Sequence, residues 1–163
     1  MASKKGKKAA TAKSRPVGLF VTLFVVGAIA VALLLVQVQT LGGRAPDFQM
    51  EVYGGQESIG GPRVAFHDVL DQGKPVILNF WAGLCPPCRA EMPSFQRLHE
   101  THGDDFVMLG VDVGTFTGLG GTQHALDLLE ELSITYPTAR ALSAQPLRDY
   151  GAHGMPTTVF LAE

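Results

Sequence analysis

The sequence predicts an α/β fold built around a strand–helix–strand unit. Residues 75–81 and residues 106–113 are almost continuous apolar runs, and such runs are typical of strands buried on both faces of a sheet. A helix is predicted between the two runs, beginning at Pro86. Because a helical crossover joins strands that run in the same direction, we expect the two strands to be a parallel pair.

The elements before the second apolar run are predicted from alternation and from turn residues. Residues 48–53 alternate apolar and polar side chains, which is typical of a strand. Glycine pairs then indicate turns, and a second short strand is expected at residues 63–66. In the helix that begins at Pro86, Pro93 predicts a kink near Met92, because a proline inside a helix removes a backbone hydrogen bond.

The elements after the unit are a helix, a short helix and a strand, predicted at residues 122–132, 145–150 and 157–161. Leu126, Leu129 and Leu132 are expected on one side of the first of these helices. Residues 113–122 are rich in glycine but lack the spacing of a phosphate-binding loop, so we predict a mobile loop there.

The N-terminal part of the chain predicts a membrane anchor. Residues 1–16 contain six lysine and arginine residues and no acidic residue, and residues 17–38 are almost wholly apolar. As a helix the apolar stretch would be roughly 33 Å long, against a hydrocarbon core of about 30 Å. We expect it to remain uncleaved, because it is longer than the usual core of a signal peptide. The positive-inside rule then keeps the basic tail in the cytoplasm and the rest of the chain outside the cytoplasmic membrane.

A tether at residues 39–44 is predicted to lead into a single domain at residues 45–163. The 147 residues after the basic tail contain 7 basic and 15 acidic side chains, a net charge of −8. This charge argues against nucleic acid or anionic lipid headgroups as partners of the domain. The domain is large enough to form a core without structural disulfides, so its cysteines are available for chemistry.

Cys85 and Cys88 are the only cysteines of the chain, and two prolines separate them. They directly follow the first apolar run, so a strand leads into the pair and a helix begins there. Residues at helix positions i and i+3 lie roughly 5–6 Å apart on one face, which is within the range of a disulfide. The strand–CxxC–helix context indicates a redox-active pair.

The start of the helix favours a thiolate on Cys85, since unpaired backbone N–H groups and the helix dipole stabilise an anion there. The dipole typically contributes only about 0.3–1 kcal/mol, so N–H hydrogen bonds to the sulfur must add to it. We assign Cys85 as the attacking thiolate and Cys88 as the resolving thiol.

Two alternatives for the cysteine pair stay open. One is a permanent disulfide, although so small a loop restrains the unfolded chain only weakly. The other is metal binding. A structural zinc site needs four ligands and the chain has no second cysteine pair. Soft sulfur ligands suit Cu(I), so a copper-handling protein that uses the cysteines with His153 or Met155 is a rival function.

In order along the chain, these segments resemble the TlpA/ResA-like thioredoxin-fold proteins, which are membrane-anchored thiol–disulfide oxidoreductases of the bacterial outer face. The matching segments are residues 45–48, residues 76–82 running into 85–93, residues 110–113 and residues 150–158. The resemblance covers nearly all of residues 45–163. It implies a three-layer thioredoxin-like fold with a central mixed sheet and flanking helices.

The resemblance also assigns further site residues. It implies that Pro156 is a cis-proline facing the cysteines and that the Met155 backbone pairs with an extended substrate segment. Trp81 is expected to share in substrate binding. Glu91 lies three residues after Cys88, where members of this family carry an active-site glutamate, and it is predicted to relay a proton to or from Cys88. The alternative is an exposed helix carboxylate without that role.

The chain departs from the family at several positions. Asn79 occupies the strand position where ordinary thioredoxins hold a buried aspartate, which makes Glu91 the more relevant acid. Gly83 and Leu84 stand before the first cysteine, where the family often has tryptophan, so a smaller and more flexible surface is expected. The sequence ends at Glu163, whereas the family continues through another strand and a closing helix. The predicted domain is therefore incomplete at its C-terminus: either the sequence is a fragment, or the sheet has an unprotected edge and a partly uncovered face. We expect residues 42–163 on their own to have low stability.

We predict a protein-disulfide oxidoreductase without a cofactor, and family members that reduce apocytochrome c favour a reductase. The expected partners are a protein with a disulfide or dithiol, for which the resemblance implies apocytochrome c, and a membrane protein that donates electrons. Thiol peroxidase is a weaker alternative, because Leu78 and Ala82 stand where peroxiredoxins have proline and threonine before the reactive cysteine.

Overall fold

The computed structural model describes residues 43–162. The strands are β1 (Gln49–Gly54), β2 (Arg63–Ala65), β3 (Val76–Trp81), β4 (Val107–Asp112), β5 (Thr138–Ala141) and β6 (Thr157–Leu161). The helices are α1 (Gln56–Ile59), α2 (Phe66–Leu70), α3 (Pro86–His102), α4 (Gly114–Thr117), α5 (Thr122–Glu131) and α6 (Gln145–Asp149). The strands form one sheet in the order β2-β1-β5-β4-β3-β6.

The predicted basic tail, the predicted anchor at residues 17–38 and the start of the tether lie outside the described residues. Within residues 43–162, no helix is both long enough and apolar enough to cross a membrane.

The centre of the sheet is the predicted strand–helix–strand unit. β3 and β4 pair in parallel, from Val76 opposite Val107 to Trp81 opposite Asp112, and α3 connects them. β5 is also parallel to β4, whereas β6 is antiparallel to β3, and β1 is antiparallel to β5 and β2. The sheet is therefore mixed, and the predicted thioredoxin-like α/β architecture is confirmed.

Side chains of β3 enter two apolar clusters, because successive residues of a strand point to opposite faces. Leu78 and Phe80 belong to a cluster with Phe66 of α2. Trp81 belongs to a second cluster with Met92 of α3 and with residues of α5. Complete burial of a large apolar side chain contributes about 1.5–3 kcal/mol to the free energy of unfolding. Because the side chains of β3 alternate between the two clusters, they stabilise the packing of helices on both faces of the sheet.

β5 is absent from the sequence-based prediction. Its four residues include Arg140 and show no apolar run, so neither length nor pattern indicates a strand. It is a strand because it pairs with β1 on one side and β4 on the other. Arg140 reaches the surface, where its guanidinium contacts Glu51 at 2.8 Å.

Three predicted details are wrong. Phe66 begins α2 instead of ending β2. The glycine-rich segment is not wholly a loop, because it contains α4. On α5 the buried side is formed by Ala125, Leu128 and Leu129, whereas Leu126 is 39% exposed. The buried positions follow the i, i+3, i+4 spacing of a helix packed on a sheet, and Leu126 lies off that stripe.

β6 forms one edge of the sheet and pairs, among the described strands, with β3 alone. Its Phe160 is 75% exposed, whereas Val159 and Leu161 pack against the first apolar cluster. Pro93 lies inside α3, which continues through it to His102.

Candidate active site

Cys85 and Cys88 lie where β3 leads into α3. Cys85 is the N-cap of α3 and Cys88 is in its first turn. The two form a disulfide with an S–S distance of 2.04 Å and a Cα–Cα distance of 5.3 Å. Cys85 is 3% exposed and Cys88 is completely buried. Cys85 is therefore the more exposed of the two sulfurs, and the attacking and resolving roles stay a prediction.

The first turn of α3 leaves one N–H group for the sulfur. Pro86 and Pro87 have no N–H, and the N–H of Cys88 donates to Cys85 Sγ at 3.3 Å. The same donor is in place to stabilise a thiolate on Cys85 after reduction, since a hydrogen bond to the charged form favours it. The arrangement supplies the hydrogen bond that the dipole argument requires.

The segment before the cysteines is held by the loop between α4 and α5 and by the start of α5. The N–H of Leu84 donates to the carbonyl of Leu119 at 2.8 Å, and Gly83 lies against the backbone of His124 and Ala125. Leu84 is 54% exposed, so it presents an apolar side chain next to Cys85.

Trp81 lies beneath the cysteines. It is completely buried, in the same apolar cluster as Cys85, Cys88 and Met92. Its side chain therefore does not reach the surface where a partner would bind, and the substrate contact predicted for it has no support in its position. Trp81 supports the cysteines from inside the protein.

The predicted substrate loop follows α6. The Met155–Pro156 peptide bond is cis, as the family resemblance implies. Met155 is half-buried and packs against both apolar clusters, including the one that contains the cysteines. His153 is exposed on the same loop. Pairing of the Met155 backbone with a substrate stays a prediction.

No group of three or more histidine, cysteine, aspartate or glutamate side chains in residues 43–162 is arranged to hold a metal ion. The copper-handling alternative therefore depends on the two cysteines and Met155, without support from a cluster around His153.

Glu91 is joined to the sheet through Asn79. Asn79 is completely buried on β3, and its Nδ2 donates to Glu91 Oε1 at 2.8 Å and to Thr158 Oγ1 at 3.1 Å. Burial raises the pKa of the Glu91 carboxyl above its ordinary value, and the hydrogen bond from Asn79 partly opposes this rise. The sequence identified Glu91 as a candidate, but it did not show that Asn79, itself hydrogen-bonded to Thr158, holds it.

The raised pKa of Glu91 predicts a pH-dependent stability. A carboxyl whose pKa is higher in the folded state stabilises the protein at low pH, and this contribution is lost as the pH rises through the folded-state pKa. In Glu91→Gln this loss is absent. We expect the free energy of unfolding of Glu91→Gln, relative to the wild type, to increase between pH 4.5 and 7.5. Urea denaturation of the oxidised proteins measures it, and a constant difference would contradict the raised pKa.

A buried acid lies at the end of β4. Asp112 is 2% exposed, and its carboxylate accepts hydrogen bonds from the Gly114 N–H at 2.8 Å and from the Tyr53 hydroxyl at 3.0 Å. Burial raises the pKa of Asp112, while these two hydrogen bonds and the charge of Arg140 lower it. Asp112 thereby connects β1 and β4 to the start of α4.

Removing the Tyr53 hydroxyl should destabilise the protein. In Tyr53→Phe the buried Asp112 carboxylate loses a donor, and a hydrogen bond to a charged group is worth about 1.5–3 kcal/mol. We expect a loss of about 1.5 kcal/mol at pH 7 in urea denaturation. Tyr150→Phe is the matched control, because that hydroxyl donates to the Pro46 carbonyl at the surface and its loss should cost about 0.5 kcal/mol. Equal losses in both variants would contradict this assignment.

Comparison with known proteins gives one family and several relatives. The sequence pattern of the AhpC/TSA family matches residues 41–163. The chain is 32% identical over 126 residues to the thiol-disulfide oxidoreductase ResA of Oceanobacillus iheyensis, which covers 77% of this chain and 61% of the relative. It is 32% identical over 123 residues to the thiol:disulfide interchange protein DsbE of Escherichia coli K12, which covers 74% and 59%. The chain thus matches about three fifths of the length of these two relatives.

The crystal structure of StoA from Bacillus subtilis resembles this chain in fold. The TM-score is 0.57 at 24% sequence identity, over 74% of this chain and 82% of StoA.

Proposed function

Because the chain belongs to the AhpC/TSA family, we propose that it is a thiol–disulfide oxidoreductase that acts on the disulfides of other proteins. The observation that carries the proposal is the Cys85–Cys88 disulfide at the start of α3, with Cys85 as its more exposed member. The proposal is supported by the similarity to ResA, a thiol-disulfide oxidoreductase, and to DsbE, a thiol:disulfide interchange protein.

The reaction proceeds in two exchanges. The Cys85 thiolate attacks one sulfur of a partner disulfide, which forms a mixed disulfide and releases the other partner sulfur as a thiolate. Cys88 then loses its proton and attacks Cys85 Sγ, which releases the second partner thiolate. The partner gains two electrons and becomes a dithiol, while Cys85 and Cys88 become the disulfide seen in the structure. Glu91, one helical turn after Cys88, accepts the proton that Cys88 loses.

We propose the reducing direction, with the domain on the outer face of the cytoplasmic membrane. The apolar stretch at residues 17–38 and the basic tail before it support this location. A membrane protein that carries a dithiol would return Cys85 and Cys88 to the reduced state. Apocytochrome c is the protein substrate that the resemblance to TlpA/ResA-like proteins favours.

A redox titration of the full chain in detergent tests the proposal. The protein is equilibrated with glutathione or dithiothreitol buffers, alkylated, and its free thiols counted by mass. For a reductase we expect a reversible two-electron transition with a reduction potential of about −270 mV, which is the value for thioredoxin. A potential near about −120 mV would make the protein an oxidant instead. Failure to form a reversible Cys85–Cys88 disulfide would overturn the proposed function.

A further inference from the structure

The Asn79 side chain forms hydrogen bonds to Glu91 and Thr158 through the same atom, its amide nitrogen Nδ2. Nδ2 carries two hydrogens, and it donates to Glu91 Oε1 at 2.8 Å and to Thr158 Oγ1 at 3.1 Å. The other end of the amide, Oδ1, is buried and has no hydrogen-bond partner in the described part of the chain. Rotation of the amide by 180° therefore breaks no other hydrogen bond.

Glu91 and Thr158 can each form a hydrogen bond with either orientation of the Asn79 amide. A carboxylate accepts a hydrogen bond and a carboxylic acid donates one, while a threonine hydroxyl does both. After rotation, Oδ1 would take the position of Nδ2 and accept from a protonated Glu91 and from the Thr158 hydroxyl. An aspartate at position 79 would offer no donor to a Glu91 carboxylate and would add a second acid next to it.

We propose that Asn79 is a positioning residue that keeps the Glu91 carboxyl hydrogen-bonded in both protonation states, donating from Nδ2 to the carboxylate and accepting at Oδ1 from the acid. This inference rests on the proposed thiol–disulfide exchange. When Cys88 attacks Cys85 Sγ, its thiol proton passes to Glu91, the Asn79 amide rotates, and Glu91 later releases the proton to solvent. Glu91 stays in one place while its charge changes.

On α3, the charged and titratable residues nearest to Glu91 in the sequence are Cys88 and Arg89, and the Arg89 guanidinium is held by Glu131 at 2.6 Å. Asn79 on β3 and Thr158 on β6 are neutral. Tyr136, just before β5, is buried, and burial and the charge of Glu91 both raise its pKa, so its hydroxyl stays neutral. Asn79 is therefore the hydrogen-bond donor through which the sheet acts on Glu91.

The test is a pH titration of Glu91 by carbon-13 NMR. The full chain is labelled at the glutamate side-chain carboxyl, kept in detergent, and the Glu91 signal is identified by its loss in Glu91→Gln. Asn79→Leu keeps the approximate size but has neither donor nor acceptor. The midpoint of the Glu91 titration should shift to higher pH in this variant, because the lost hydrogen bond to the carboxylate is charge-assisted and roughly twice as strong as the lost one to the neutral acid. Asn79→Asp, which keeps the shape, should shift it in the same direction and provides a second variant if Asn79→Leu does not fold.

Gln96→Leu is the matched control. Gln96 has a buried side-chain amide and lies on α3, as Glu91 does. Like Asn79, it donates to a glutamate and a threonine: its Nε2 donates to Glu100 at 2.9 Å and to Thr135 at 2.7 Å. Its loss should leave the Glu91 midpoint unchanged. A Glu91 midpoint that is the same in the wild type and the folded Asn79 variants would overturn the proposal.

Two further readouts examine the rotation and its role in exchange. In the wild type, the side-chain amide signals of Asn79 should change with pH, with the same midpoint as the Glu91 titration. Amide signals that stay constant across this pH range would contradict the rotation. Release of the mixed disulfide should slow by roughly tenfold in Asn79→Leu. A positioned acid–base group accelerates a reaction by about 10²–10⁴-fold, and Asn79→Leu should remove only part of this acceleration. An unchanged rate of release would overturn the role in exchange. The NMR titration needs no exchange activity, so a failure of the proposed function would be seen separately, in the redox titration.

Discussion

Replacing Cys88 with alanine should trap the protein in covalent complexes with its partners. Cys85 keeps its position at the N-cap of α3, at the more exposed end of the pair, so it still attacks a partner disulfide. Without Cys88 no internal thiol releases the mixed disulfide. We expect stable complexes on non-reducing gels of cell extracts, which disappear on reduction, and a near-complete loss of disulfide turnover.

The matched variant is Cys85→Ala. Its remaining thiol, Cys88, is completely buried, so it should form no complexes although it retains one cysteine. Mass spectrometry of the trapped species identifies the natural partner and the bonded cysteine. If Cys85→Ala traps partners as efficiently as Cys88→Ala, the assignment of the attacking and resolving residues is reversed. If neither traps a partner while Cys85 still reacts with alkylating reagents, the exchange mechanism is wrong.

Replacing Gly83 with alanine should destabilise the domain strongly. A Cβ at this position would lie 2.5 Å from the carbonyl carbon of His124 and 2.6 Å from the backbone nitrogen of Ala125. These atoms belong to the backbone of α5, so the conflict cannot be relieved by a side-chain rotation. Either α5 or the segment that leads into Cys85 must move, and we expect a loss of about 3 kcal/mol, or roughly 10 °C in the melting temperature.

Gly121→Ala is the control for this substitution. Gly121 is in the same loop region, at the N-cap of α5, with an extended φ of −107°, and a Cβ there would meet no atom within 4 Å. It should cost less than about 1 kcal/mol, because alanine is a poorer N-cap than glycine but its Cβ meets no atom. Trp81 is the only tryptophan of the chain and lies in the cluster with both cysteines, so its fluorescence reports unfolding of this region. Equal melting temperatures for Gly83→Ala and the wild type would show that α5 does not constrain the approach to Cys85.

The reacting residues were predictable because they lie close together in the sequence. Cys85 and Cys88 share one helical turn, so their spacing alone places two sulfurs within reach. The cis bond before Pro156 was implied only by the resemblance, since local sequence indicates a turn and not its isomer. The hydrogen bonds that join Asn79 to Glu91 and to Thr158 were not predictable. Thr158 is 79 positions from Asn79, and only the pairing of β6 with β3 brings them together.

Local pattern determined the strand–helix–strand unit, the cysteine pair at the start of α3 and the apolar stretch before the domain, because each depends on neighbours within one element. Tertiary structure decided what depends on distant contacts. β5 is a strand through its two neighbours in the sheet, and Trp81 is buried beneath the cysteines instead of exposed to a partner. Asn79 and Glu91 form one unit across β3 and α3. The reason is physical: periodicity reports which side of an element is apolar, whereas burial and hydrogen-bond partners are set by the elements that pack against it.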